Sequence, residues 1–81
     1  MRPVNRLDEH RLVEMVRTYN ESVSSPVQSL EKLYMRKRIS VLIQKLKDRL
    51  IATGNTVVIQ NNRPGSSGRL SLKINGVDYD V

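Results

Sequence analysis

The chain has 81 residues, carries 14 Lys and Arg against 8 Asp and Glu for a net charge of +6, and contains no cysteine, Phe or Trp. That length allows one domain close to the lower limit for a self-sufficient core, which has to be built from Val, Leu and Ile. Disulfides, thiolate metal sites and thiol catalysis are excluded, no apolar run approaches the roughly 18 residues that span a bilayer, and Met1-Arg2-Pro3-Val4-Asn5-Arg6 lacks the apolar stretch of a secretory signal.

The first element is a helix over about 6–23. Asn5 suits its N-cap, and Asp8, three residues on, suits the reaching partner of a capping box. Asp8 and Glu9 also favour the positive end of the helix dipole. Leu12, Val16, Tyr19 and Val23 form one apolar stripe bordered by Met15, and Glu14, Arg17, Thr18 and Glu21 face the other way. Ser22-Val23-Ser24-Ser25-Pro26 breaks the helix. Ser25 as N-cap, Pro26 at the first helical position and Gln28 as capping-box partner start a second helix. It runs over about 26–53 to Gly54, a natural left-handed terminator. About 28 residues at 1.5 Å each give a helix of roughly 42 Å. A break near Met35–Arg38 would give three shorter helices instead. The short connection makes the two helices an antiparallel hairpin.

The period then changes. Thr56-Val57-Val58-Ile59-Gln60 is β-branched, and Asn61 to Gly68 is dense in turn formers. Arg69 to Ile74 alternates, with Leu70, Leu72 and Ile74 on one face. Asn75-Gly76 is the signature of a type I′ hairpin turn. Val77-Asp78-Tyr79-Asp80-Val81 alternates again, with Val77, Tyr79 and Val81 inward. The expected fold is α+β: a helical hairpin, then a three-stranded antiparallel β-meander over about 56–61, 69–74 and 77–81. The helices are the only cover for its apolar face.

Nearly all the excess charge lies in one segment. Residues 1–24 balance, with four bases against four acids, and residues 55–81 carry a single excess charge. Residues 25–54 carry +5, from Lys32, Arg36, Lys37, Arg38, Lys45, Lys47 and Arg49 against Glu31 and Asp48. Such concentration points to an anionic partner. At 100° per residue the second helix shows two apolar faces. Met35, Ile39, Leu42, Ile43, Leu46 and Leu50 form the longer one. Leu30, Leu33, Tyr34 and Val41 form the other, assigned to a contact with a second subunit, with cover by the first helix and the sheet as the intramolecular alternative. Arg38, Lys45 and Arg49 flank the longer face on one side, Lys32, Arg36 and Lys47 on the other. Solvated borders of a core face would look similar, but few acids balance them here.

Arg63 and Arg69 bracket the turn between the first two strands, a tip that reaches a groove or phosphates as β-arms do, or is a plain exposed turn. The element order is similar to that of winged-helix and β-arm DNA binders in topology only, and no residue motif carries the likeness. Met35-Arg36-Lys37-Arg38 is too short a match to specify nuclear import.

Catalytic signatures are missing. His10 is the sole histidine and has no cysteine or second histidine beside it for a metal. Asp78 and Asp80 read as solvent-facing alternation, and no phosphate-cradling glycine loop occurs. A non-enzymatic, intracellular homodimer without cofactor is expected. It would bind duplex nucleic acid, DNA or RNA, through phosphate contacts by Arg36, Arg38, Lys45, Lys47, Arg49, Arg63 and Arg69, with little base readout. With few aromatic residues, mostly needed inside, stacking on single strands is disfavoured. The alternative is an adaptor or assembly subunit whose basic face meets an acidic protein surface. A membrane-surface role for the second helix fits less well, since the sheet needs its apolar face.

Overall fold

The structure is a computed structural model describing residues 6–24, 29–61 and 68–81. Two helices, α1 (Arg6–Ser24) and α2 (Leu30–Ala52), precede three strands, β1 (Val57–Asn61), β2 (Leu70–Ile74) and β3 (Val77–Tyr79). The sheet is antiparallel in the order β1-β2-β3. The fold is therefore the expected helical hairpin followed by a β-meander.

Helix α2 is continuous, without a break near Met35–Arg38, but it begins later than the Ser25 capping box implies. Ser29 is the N-cap: its backbone is extended and its Oγ accepts from the Lys32 N–H at 3.1 Å. The expected N-terminal residues Asn5, Ser25, Pro26 and Gln28 lie outside the described residues. The 23 residues of α2 span roughly 34 Å rather than 42 Å. At its far end Gly54 takes φ +93°, as a terminator should. Asn55 then folds back, its backbone N–H and side-chain Nδ2 both donating to Leu50 O, at 3.0 and 3.1 Å.

The core is aliphatic. Leu12 and Val16 of α1, Ile39, Ile43, Leu46 and Leu50 of α2, and Val57, Leu72 and Ile74 of the sheet are buried together. Asp8 and Asn20 continue the Leu12–Val16 column at four-residue spacing and are buried too. Asp8 is thus a buried ion-pair partner of Arg49, and the capping box expected of it with Asn5 lies outside the described residues. Tyr19 and Val23 are only partly buried.

Met35 and Leu42, expected inside, are exposed. The neighbouring elements cover a narrower strip of α2, marked by Ile39, Ile43, Leu46 and Leu50. Strand β3 also departs from expectation. It pairs with β2 through Ile74↔Val77 and Leu72↔Tyr79, but Val77 is 56% exposed. The helices pack over β1 and β2, leaving this end of the edge strand open. Tyr79 stays partly covered, its hydroxyl donating to Glu9 Oε1 at 2.6 Å.

The Asn75-Gly76 turn has positive φ at both residues, 51° and 82°, as type I′ requires. Asn75 also ties the turn to β1: its Oδ1 accepts from the Thr56 N–H at 2.9 Å, and its Nδ2 donates to Asn55 Oδ1 at 3.0 Å. Asn20 joins the helices to the sheet, donating to Leu70 O and Val81 O and accepting from the Leu70 N–H.

Candidate nucleic-acid interface

The antiparallel crossing of α1 on α2 sorts the basic side chains. Near one end Arg49 Nε meets Asp8 Oδ2 at 3.2 Å, and near the other Arg36 donates to Ser22 Oγ and O, both at 3.4 Å. These contacts lie on opposite flanks of α2. The flank with Arg49 also carries Lys45, about one turn away, and Arg38, about three turns away. From Arg38 to Arg49 is 11 residues, roughly 16 Å along the axis.

Helix α1 adds a cation that the charge count concealed. Arg11 lines a groove with Met15 on α1 and Leu42, Lys45, Leu46 and Arg49 on α2. The floor is apolar and three cations border it. Residues 1–24 sum to zero, so Arg11 looked balanced. In the structure Asp8 is buried against Arg49 and Glu14 pairs with Arg17 at 3.0 Å, so neither neutralises it. Among the described residues, Arg11, Arg38 and Lys45 form no ion pair. An exposed row of cations without internal counter-charges is suited to neutralising phosphates.

The other expected contact residues are dispersed. Arg36 is engaged with Ser22. Lys47, half-buried, borders a recess with Ser40, Gln44, Ile59 and Leu70 on the sheet side. Arg69 is held inside the subunit, donating to Ser24 Oγ at 2.8 Å and Val81 O at 3.1 Å. It fastens the start of β2 to the end of α1 and is not an outstretched clamp. Arg63 lies outside the described residues. The structure thus gathers Arg38, Lys45 and Arg49 with Arg11, and separates Arg36, Lys47 and Arg69 from them. Arg49 has a structural task as well, because its guanidinium covers the buried Asp8.

Comparison with family models, curated proteins and solved structures finds no match. Function therefore has to be argued from the residues. No helix among the described residues is long and apolar enough to cross a membrane, and no cluster of three or more His, Cys, Asp or Glu among them is placed to hold a metal ion.

A second recess, bordered by Arg6, Glu9, His10, Val13 and Tyr79, contains the sole histidine. The hydrogen bond to Glu9, with burial and the carboxylate charge, pushes the Tyr79 hydroxyl above its usual range. A phenol held protonated by a carboxylate is a poor general base at neutral pH, so this pair is better suited to bracing β3 than to chemistry.

The four residues expected at a subunit contact are all exposed: Leu30 by 86%, Tyr34 by 67%, Val41 by 54% and Leu33 by 47%. The intramolecular alternative, cover by α1 and the sheet, does not hold. Tyr34 stands outside on this stripe, where the subunit-contact face placed it, while Tyr19 and Tyr79 are partly buried.

Proposed function

We propose that this protein is a non-catalytic nucleic-acid-binding homodimer that grips duplex phosphates along one flank of α2. The observation that carries the reading is the row Arg38–Lys45–Arg49, joined across a groove by Arg11, with Arg11, Arg38 and Lys45 unpaired among the described residues. The row offers charge rather than base-edge recognition. Gln44, the only amide side chain on α2, is bonded to Asp48 at 3.0 Å. Recognition by phosphate position and duplex shape follows, with little dependence on sequence.

The test is a titration of duplex DNA, duplex RNA and single strands at two salt concentrations. Arg38→Ala/Lys45→Ala is the diagnostic variant. Arg49 is left in place because its removal uncovers Asp8. The double variant should weaken binding to all duplex sequences about equally and lower the slope of log K against log salt by about 1.8 on B-DNA, about 0.9 for each contact. Unchanged affinity and slope would refute this flank as the contact surface. A parent that binds no nucleic acid at low salt would favour an adaptor whose basic face meets an acidic protein, a reading that the exposed apolar stripe also supports.

A further inference from the structure

On the outward face of α2, three of the four apolar residues, Leu30, Tyr34 and Val41, belong to a longer regular pattern, and Leu33 borders it. Leu30, Tyr34, Lys37, Val41, Gln44, Asp48 and Ile51 recur at alternating spacings of four and three. That is the seam of a two-helix coiled coil. All seven are exposed, so nothing described in this chain covers the seam. Two of them bear opposite charges without an ion pair among the described residues: Lys37, and Asp48, whose carboxylate only accepts from Gln44.

We infer that the seam is occupied by a second copy of this chain, packed antiparallel and in one register. In an antiparallel pair each seam position meets its counterpart at a constant sum of residue numbers. With the two-fold axis between Leu42 and Ile43, Lys37 meets Asp48 of the second copy, Tyr34 meets its Ile51, and Val41 meets its Gln44. Symmetry repeats each contact. Sliding by one heptad toward the N-terminus sets Leu30 against Asp48 and Lys37 against Val41, leaving both charges with apolar partners. The central register leaves only Leu30 beyond the partner helix, and sliding the other way leaves Tyr34 and Lys37 without a partner as well. Only the central register pairs the two charges and covers most of the apolar residues.

The same arrangement acts on the proposed phosphate-binding flank, and this part rests on that proposal. Arg38 and Lys45 border the seam on one side. Antiparallel pairing lines them up with Lys45 and Arg38 of the second copy, making one row of four cations. Their mutual repulsion opposes assembly until an anion screens it. Duplex binding and dimer formation are then reciprocally coupled, each strengthening the other.

The experiment is sedimentation equilibrium from micromolar to millimolar protein without nucleic acid, then with a short duplex. Lys37→Glu and Asp48→Lys should each weaken self-association about tenfold, because two attractive pairs become two repulsive ones. The double variant Lys37→Glu/Asp48→Lys should restore it. All these positions are exposed, and thermal melts confirm that the variants fold. As a second reading of register, Tyr34→Cys mixed with Ile51→Cys should cross-link on oxidation, while neither cross-links alone. A parent that stays monomeric with and without duplex would overturn the inference. So would a double variant no better than the singles, or cross-linking of Tyr34→Cys with itself. A monomer that binds duplex sinks the seam alone, whereas a charge-registered dimer that binds none sinks the phosphate-binding proposal alone.

Discussion

Replacing Asn20 by Asp tests how the helices are fastened to the sheet. The Asn20 amide is 1% exposed, donates to Leu70 O at 2.9 Å and Val81 O at 3.0 Å, and accepts from the Leu70 N–H at 2.7 Å. Aspartate keeps the shape and the acceptor but loses both donors, so two carbonyl oxygens face a carboxylate. Each acceptor left without its donor costs about 1–3 kcal/mol, and an enclosed charge adds more. A loss of about 4 kcal/mol or greater results, against a total of about 4–12 kcal/mol for a domain of this size. At neutral pH the variant should be unfolded or melt more than about 15 °C below the parent. Burial and the facing carbonyls raise the new carboxyl's pKa above its unfolded value of about 3.9. The stability it contributes is therefore present below that value and lost as pH rises through the folded pKa. Acid should narrow the gap from the parent, since a protonated carboxyl can again donate one hydrogen bond. Melts followed by circular dichroism at pH 3, 5 and 7, with Asn20→Ala alongside, measure this. An Asn20→Asp protein melting within a few degrees of the parent at pH 7, or a gap that does not change with pH, would refute the reasoning.

Arg49→Ala should cost about 2 kcal/mol, between the values for exposed and buried pairs, because Arg49 is 62% exposed but Asp8 only 5%. Lys45→Ala should stay within about 0.5 kcal/mol of the parent, so denaturant titration of the two separates the structural cation from the merely exposed one. Leu72→Asp should abolish folding at neutral pH, seen as loss of the cooperative melt, because Leu72 is 2% exposed between β1 and β3. Tyr79→Phe should flatten the alkaline limb of the stability curve. The Tyr79–Glu9 bond contributes below the unfolded tyrosine pKa of about 10 and is lost as pH rises through the higher folded one. Equal alkaline limbs for parent and variant would count against it.

The element order, the type I′ turn, the core face of β2 and the Ile39, Ile43, Leu46 and Leu50 part of the α2 face were legible because each is written in local pattern: four-and-three spacing, alternation and Asn75-Gly76. Met35 and Leu42 fit the same spacing but lie beyond the strip the other elements cover. The start of α2 was not, because Ser25 and Ser29 both offer an N-cap and only the folded backbone selects Ser29. The buried polar residues were hidden by their chemistry rather than their position. Asp8 and Asn20 share the four-residue column of Leu12 and Val16, so spacing alone pointed inward. The missing information was their partners, Arg49 and the backbone of Leu70 and Val81, distant in sequence. Arg11 joined the basic row for a related reason: its apparent counter-charges are turned elsewhere by tertiary contacts. The engagement of Arg69 with Ser24 and Val81 is likewise a long-range bond that no local pattern encodes.

The Asn75-Gly76 turn also bears on how the protein ages. Asparagine before glycine is the pair most prone to spontaneous deamidation, in which the glycine backbone nitrogen attacks the side-chain carbonyl carbon and expels ammonia through a succinimide ring. Here both ends of the Asn75 amide are bonded, to the Thr56 N–H and to Asn55 Oδ1, and these bonds restrain the side-chain rotation that ring closure requires. Ring closure then waits on the turn opening. Once formed, aspartate cannot donate to Asn55, and isoaspartate lengthens the chain within the turn. Damage at this one site therefore records the cumulative time the hairpin has spent open.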